Sequence, residues 1–528
     1  MPDAGAIILP GRAGASPTPS LPTRRLPVRR LLVALAGLAA VVVALWHLQA
    51  ATAGLTIQAA QAGSIPLTVF RPAAPGRAPV VVIAHGFAGS RQLMQPFALT
   101  LAHAGYIAVT FDFPGHGRNP TRFAGGISDD TAASASLLEA LGEVADYARA
   151  RPDGDGRLAL LGHSMASDTV VQYGRTHPDI DATIAVSAFV RGVDADRPRD
   201  LLVIVGAWEP AFLHREGEHI VGMASGGAVT PGVSYGSPAA GTARRLVIAE
   251  GAEHVGVLYS AASLRAARDW LDAMFARPAG GEVESRGPWL ALLFGGLVAL
   301  GWPLAALLPV LARPPAGAGL PWRRLWPVVV LPAIATPLLL RPLPPDLLPL
   351  LLGDYLALHL GVYGLLMLAG LAWMRVPLAG LRPSRPVLAA AVCIAAWGVL
   401  GIGLPIDAYF TSFIPTGERL LMLPLVLAGT LPWFVADEWI TRGAAAPRGA
   451  YVATKVCLLL SLALAIALNL HRLFFLIIIL PVIMVFFTVY GLFSTWSWRA
   501  TRHPLPAALA NALSLAWAIA ATFPMIAR

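Results

Sequence analysis

The distribution of apolar residues divides the chain into four segments of different character. Residues 1–30 are rich in Pro, Ala and Arg and have no apolar periodicity, which predicts a disordered basic tail. Residues 31–50 contain an uncharged run of Leu, Val and Ala, and residues 51–287 have the composition of a soluble domain. In residues 288–528 the apolar runs become too long for a soluble core, because a membrane-spanning helix needs about 20 apolar residues.

Eight apolar stretches in residues 288–528 predict an all-α transmembrane bundle of about eight helices. The three clearest stretches, residues 288–312, 386–406 and 473–498, each run for at least 21 residues without a charged residue. The other five lie at residues 325–340, 347–374, 420–436, 453–470 and 504–527. The whole chain is 56% hydrophobic and 13% charged, whereas soluble proteins carry about 25% charged residues. Much of this chain is therefore expected to face lipid.

The first apolar run, within residues 31–50, predicts a transmembrane signal anchor. A cleaved signal peptide is the alternative interpretation, because the small residues Ala50, Ala51 and Ala53 follow the run. Both interpretations export the soluble domain that comes next.

Basic residues indicate the orientation of the predicted spans. With the tail in the cytoplasm, sixteen basic side chains fall on the cytoplasmic side, against only Arg341, Arg419, Arg472 and Arg528 on the other. This positive-inside bias places residues 51–287 outside the cytoplasm. The net charge of +9 is thus a topology signal, and no feature predicts binding to nucleic acid. The composition, rich in Ala and Arg with Lys455 as the only lysine, favours a bacterial inner membrane.

Residues 51–287 alternate short buried-strand runs with helical stretches. The runs at residues 78–84, 106–111 and 157–161 each end in a loop with small residues, and residues 129–150 have a helical pattern. This alternation predicts a mostly parallel sheet with helices on both faces.

One strand runs directly into a tight turn that contains Ser164. A turn that exposes a nucleophilic serine needs small residues two positions before and two after it, where Gly162 and Ala166 stand. Such a turn directs the first amides of the next helix at the serine, so Met165 N–H is predicted to donate to a developing oxyanion. Phe87 N–H, in the loop after the first strand run, is the predicted second donor of this oxyanion hole.

The segments HGFAGS, DFPGHG and GHSMA, in this order, resemble the α/β-hydrolase superfamily. They are similar in particular to its serine aminopeptidase, lysophospholipase-like and dienelactone-hydrolase-like branches. The resemblance covers about residues 65–276 and leaves the predicted bundle unassigned. Ala166 departs from the family pattern, which usually has a second glycine at this position.

The resemblance implies a catalytic triad in the order serine, acid, histidine. Glu209 and His254 follow the next strand runs and stand where the family places its acid and its histidine. His254 would accept the proton of Ser164, and Glu209 would orient the imidazole. Asp194 and Asp196 are the alternative acids.

Other polar residues near these loops have structural interpretations. His85, His116 and Asp112 are predicted to brace their turns, and His163 is predicted to pack beside the serine. Residues 207–243 form a longer segment than a minimal connection between two strands requires. Two interpretations of this segment remain open, a cover over the acyl pocket and an exposed loop.

These features together predict a membrane-bound serine hydrolase that cleaves esters through an acyl-enzyme, without a metal or another cofactor. Apolar acyl esters and lipid-linked compounds are the favoured substrates, and a peptide substrate remains open. Two alternatives are an acyltransferase that uses the same triad and a non-catalytic sensor or transport protein. The expected partners are the substrate and the lipid bilayer, and the oligomeric state is left open.

Overall fold

A computed structural model describes residues 27–125, 130–344 and 347–527. Most of the predicted basic tail, residues 1–26, lies outside the described residues. We name residues 55–274 the sheet domain, and we name the remaining helices the bundle.

The sheet domain contains a nine-stranded sheet within the described residues. Its strands are β1 (Leu55–Ala62), β2 (Ile65–Pro72), β3 (Ala78–Ala84), β4 (Ile107–Phe111), β5 (Gly154–His163), β6 (Ala182–Val186), β7 (Leu201–Gly206), β8 (Ser234–Tyr235) and β9 (Arg244–Ala249). The spatial order is β1-β2-β4-β3-β5-β6-β7-β9-β8, and the six strands from β4 to β9 in this order are parallel. The outer strands β1, β2 and β8 pair antiparallel.

The helices begin with α1 before the sheet, and α2 to α6 belong to the sheet domain. The first six are α1 (Val28–Ala50), α2 (Gln95–His103), α3 (Asp130–Arg149), α4 (Met165–Thr176), α5 (Ala211–Ser225) and α6 (Ala261–Met274). The rest are α7 (Gly287–Ala305), α8 (Trp322–Leu340), α9 (Gly353–Trp373), α10 (Arg385–Ala396), α11 (Gly403–Tyr409), α12 (Glu418–Thr441), α13 (Ala450–Leu468), α14 (Leu470–Leu473), α15 (Leu476–Thr501) and α16 (Leu505–Thr522). A π-helical turn, Trp397–Ile402, makes α10 and α11 one continuous element.

Both faces of the sheet are covered, because side chains alternate along each strand. In β3, Val80 and Val82 pack into the core on the side of α3 and α4. Val81 and Ile83 pack into the core formed with α2 and α6 on the other side. This period of two on a fully buried strand is what a sheet between two helical layers requires.

The region from residue 207 to 243 is not a loop throughout, because its first part forms α5. The buried residues Leu213, Gly217, Ile220 and Val221 recur at helical spacing and cover the outer part of the sheet. The exposed-loop interpretation was therefore wrong for Ala211–Ser225, whereas a cover over the acyl pocket stays a prediction.

Nine helices in the described part of the chain are long and apolar enough to cross a membrane. They are α1, α7, α8, α9, the α10–α11 element, α12, α13, α15 and α16. Glycines allow some of these helices to approach closely. A methyl group on Gly364 of α9 would lie 2.1 Å from the backbone nitrogen of Trp433 in α12, and one on Gly296 of α7 would lie 2.9 Å from the carbonyl oxygen of Gly37 in α1. Small residues at helix contacts are typical of bundles in lipid.

The sheet domain rests on one end of the bundle. Its loops contact the C-terminal end of α11, the N-terminal end of α12 and the segment after α16. Ser90 Oγ lies 3.0 Å from Thr411 Oγ1, and Arg118 pairs with Asp407 at 2.5 Å. After α16, Met525 N–H donates to Gly115 O at 2.8 Å.

Arg419, at the start of α12, is the buried centre of this junction. Its guanidinium donates to Gly115 O in the sheet domain at 2.5 Å. It also donates to Ala520 O and Phe523 O at the end of α16, at 3.0 and 2.7 Å. One side chain thus connects two bundle helices to the loop after β4.

The substitution Arg419→Met is expected to destabilise the junction by about 3 kcal/mol, because it removes the donor to buried carbonyl groups. We expect a lower thermal unfolding midpoint for the full chain in detergent. The control is Arg122→Met, which breaks the exposed Arg122–Glu418 pair and should cost less than about 1 kcal/mol. Equal midpoints for the two variants would contradict a central role for Arg419.

Candidate active site

Ser164 lies at a strained turn between β5 and α4. Its backbone has φ 53° and ψ −117°, a conformation that residues with a side chain rarely adopt. The turn is tight because the strand and the helix cross here: a methyl group on Gly162 would lie 2.3 Å from Ala166 O. Ala166, the departure from the family pattern, is fully buried and accommodates its own methyl group.

The structure brings Ser164, His254 and Glu209 together in one hydrogen-bonded chain. His254 Nε2 lies 2.9 Å from Ser164 Oγ, and His254 Nδ1 lies 2.6 Å from Glu209 Oε1. Because a carboxylate only accepts, Nδ1 carries the hydrogen and Nε2 is left to accept the serine proton. Glu209 and His254 follow β7 and β9, so the carboxyl ends of parallel strands deliver all three residues to one edge.

Ser187 is a site residue that the sequence did not single out. Its hydroxyl donates to Glu209 Oε2 at 3.0 Å, and Gly206 N–H donates to the same oxygen at 2.7 Å. The second carboxylate oxygen is thus fixed, and Oε1 is directed at His254. The position of Ser187 directly after β6 was the available signal, since that strand adjoins both β5 and β7.

The two predicted oxyanion donors lie in the segments next to Ser164. Met165 N–H is the first amide of α4, and the first amides of a helix have no partner within the helix. Phe87 follows Gly86, on which a methyl group would lie 3.0 Å from Ser164 Cβ. This close approach brings the loop after β3 against the nucleophile.

His163 and His85 support the site as neutral, buried side chains. His163 Nε2 lies 2.9 Å from His254 O, and burial together with the nearby His254 lowers the pKa of His163 to about 3. His85 Nε2 accepts from Phe113 N–H at 3.1 Å, and its Nδ1 lies 2.8 Å from Gly86 O. Burial also lowers the pKa of His85. These rings join the loops after β3, β4 and β9.

The remaining candidates lie outside the hydrogen-bonded chain. Asp112 accepts from the backbone of Arg91 and Arg118 and so fixes the turn after β4. His116 Nδ1 lies 2.9 Å from Pro114 O in the same turn. Asp194, an alternative acid, pairs with Arg175 at 3.1 Å.

One known family matches part of the sheet domain. Residues 76–215 match the model of the serine aminopeptidase S33 family. The matched segment contains the HGFAGS, DFPGHG and GHSMA sequences as well as Glu209. The sheet domain, residues 55–274, has the strand order and helical layers of an α/β-hydrolase fold, and we call it the hydrolase domain. The family match supports hydrolysis as the chemistry of this hydrolase domain.

Three solved structures are similar to about 42% of the chain. A predicted CIB-like hydrolase from Thermoplasma acidophilum shares 18% identity over 42% of this chain and 100% of its own, with a TM-score of 0.33. Est1E from Butyrivibrio proteoclasticus shares 14% identity over 42% of this chain and 99% of its own, with a TM-score of 0.31. TT1662 from Thermus thermophilus shares 17% identity over 42% of this chain and 99% of its own, with a TM-score of 0.32. No curated protein matches the chain.

The turn at Ser164 is expected to tolerate Ala166→Gly but not Gly162→Ala. The first change removes a methyl group and costs up to about 1 kcal/mol of helix propensity. The second places a methyl group 2.3 Å from Ala166 O and must displace the serine. The measurements are the unfolding midpoint and labelling of Ser164 by a fluorophosphonate. Full labelling of the Gly162→Ala variant would show that the turn can relax.

Buried neutral histidines are expected to make the hydrolase domain sensitive to acid. An unfolded histidine binds a proton below a pKa of about 6.5, whereas folded His163 has a pKa of about 3. Between these values the unfolded state binds more protons, so stability falls as the pH falls. We expect the unfolding midpoint to fall from pH 6.5 to pH 4.5, and less steeply in His163→Gln. His219→Gln, at an exposed histidine, is the control and should leave the slope unchanged.

Proposed function

We propose that this protein is a membrane-bound serine hydrolase that cleaves esters through an acyl-enzyme on Ser164. The observation that carries the proposal is the pair of hydrogen bonds that join Ser164 Oγ to His254 at 2.9 Å and His254 to Glu209 at 2.6 Å. A nucleophile, its base and the group that orients the base are the parts that acyl transfer requires.

The chemistry follows from the position of each group. His254 Nε2 accepts the proton as Ser164 Oγ attacks the ester carbonyl carbon, and the amides of Phe87 and Met165 donate to the oxyanion. Collapse of the tetrahedral intermediate breaks the ester C–O bond, and the alcohol leaves with the proton from His254. Water then attacks the acyl-enzyme by the same steps and releases the acid, while Glu209 stabilises the charged imidazole.

The membrane location rests on the apolar helices together with the distribution of arginine. Nine helices of the described residues are suitable for crossing a bilayer. The positive-inside bias assigns the junction end of the bundle to the extracytoplasmic side. In a bacterial inner membrane the hydrolase domain would therefore act in the periplasm.

Substitutions in the triad are expected to reduce turnover by about 10³-fold or more for Ser164→Ala and His254→Ala. Glu209→Gln should lose roughly as much, because the amide can present a donor instead of an acceptor to His254 Nδ1. The measurements are 4-nitrophenyl butyrate hydrolysis and fluorophosphonate labelling of the full chain in detergent.

The matched control is Asp194→Asn, since Asp194 was the alternative acid and pairs with Arg175. Its activity should stay within about threefold of the unsubstituted protein. Loss of activity in Asp194→Asn with retention in Glu209→Gln would overturn the assignment of the acid. An absence of both hydrolysis and Ser164 labelling would overturn the proposed function, and acyl groups recovered on an acceptor other than water would favour acyl transfer.

A further inference from the structure

The edge of the sheet that carries the triad is the edge that faces the bundle. The loop after β3 contacts the bundle through Ser90 and Thr411, and the loop after β4 does so through Gly115 and Arg419. Beyond β9, the ring of Tyr259 stacks on Phe410 of the bundle, with centroids 6.0 Å apart. A substrate that reaches Ser164 must therefore pass close to the junction.

A bundle side chain forms part of the wall beside the oxyanion loop. Phe475, just before α15, stacks on Phe87 with ring centroids 4.7 Å apart and planes inclined by 28°. Phe87 is the residue whose amide is the second oxyanion donor. The bundle is thus in direct contact with the loop that would bind the reacting carbonyl.

Large apolar side chains are exposed on both partners of this junction, and we call the following four residues the apolar rim. On the bundle, Phe474 and Ile477 lie close to Phe475 in the sequence and are 42% and 43% exposed. At the carboxyl edge of the sheet, Phe189 follows β6 and Trp208 follows β7, and they are 60% and 72% exposed. A group of large exposed apolar side chains is typical of a binding surface.

From this arrangement we infer that the substrate is an acyl lipid that reaches Ser164 from the adjoining leaflet, with Phe475 as a specificity-determining residue for its acyl chain. The inference rests on the proposed hydrolase function. It follows from two independent features, the Phe87–Phe475 contact and the apolar rim. A soluble ester needs neither feature, whereas a long acyl chain leaving the bilayer needs a continuous apolar path.

The test compares two esters that share a leaving group, using the full chain in vesicles of ether-linked phosphatidylcholine, a lipid without carboxylic ester bonds. 4-Nitrophenyl butyrate is presented in water and 4-nitrophenyl palmitate in the vesicle. Phe475→Ala is expected to lower kcat/KM for the palmitate at least tenfold and for the butyrate less than threefold. Leu492→Ala, at an exposed apolar side chain 17 residues further along, in the other half of α15, is the control and should change neither value more than threefold.

A second variant tests the rim without touching the wall. Phe189→Ser combined with Trp208→Ser should also lower palmitate hydrolysis in vesicles at least tenfold and keep butyrate hydrolysis. If Phe475→Ala lowers kcat/KM by the same factor for both esters, Phe475 has only a structural role and the inference is overturned. Unchanged palmitate hydrolysis in both variants would also overturn it. If the unsubstituted protein hydrolyses neither ester and Ser164 is not labelled, the proposed function itself fails.

Discussion

The crossing of β5 and α4 is the constraint on which the rest of the site depends. Gly162 leaves no room for a methyl group beside the carbonyl of Ala166, and the chain turns here through Ser164 with a positive φ. The strain of such a residue costs about 1–3 kcal/mol, which the buried strand and helix must supply. In return the hydroxyl stands clear of the sheet, beside an imidazole on one side and helix amides on the other.

The two parts of the chain differ in composition, but they share one interface. The parallel strands bring the triad to a single edge, and that edge rests on the ends of the apolar helices. A single span would suffice to tether a hydrolase domain. The contact between Phe87 and Phe475 places one bundle side chain against the loop that carries the proposed oxyanion donor.

Local pattern predicted those features that depend on short stretches of chain. The parallel sheet, the turn at Ser164 and the apolar helices each follow from periodicity or from small residues at fixed spacing. The sequence pattern did not predict helix α5, because only four of its residues are buried and its segment is rich in glycine and charged residues. Contacts such as Phe87 with Phe475, or the buried pair of Asp437 and Lys455, join positions that no local pattern relates, so only the folded chain shows them.

The long separation between partners at the junction has a consequence for biogenesis. Gly115 and Arg419 are 304 residues apart, and the segment of Met525 that pairs with Gly115 is synthesised later still. Domains fold as units while the ribosome is still translating, so the loop after β4 is synthesised long before its partners exist. Until α12 and α16 are in place, that loop and the neighbouring apolar rings lie exposed. A chaperone that shields this edge during synthesis would therefore raise the yield of native protein.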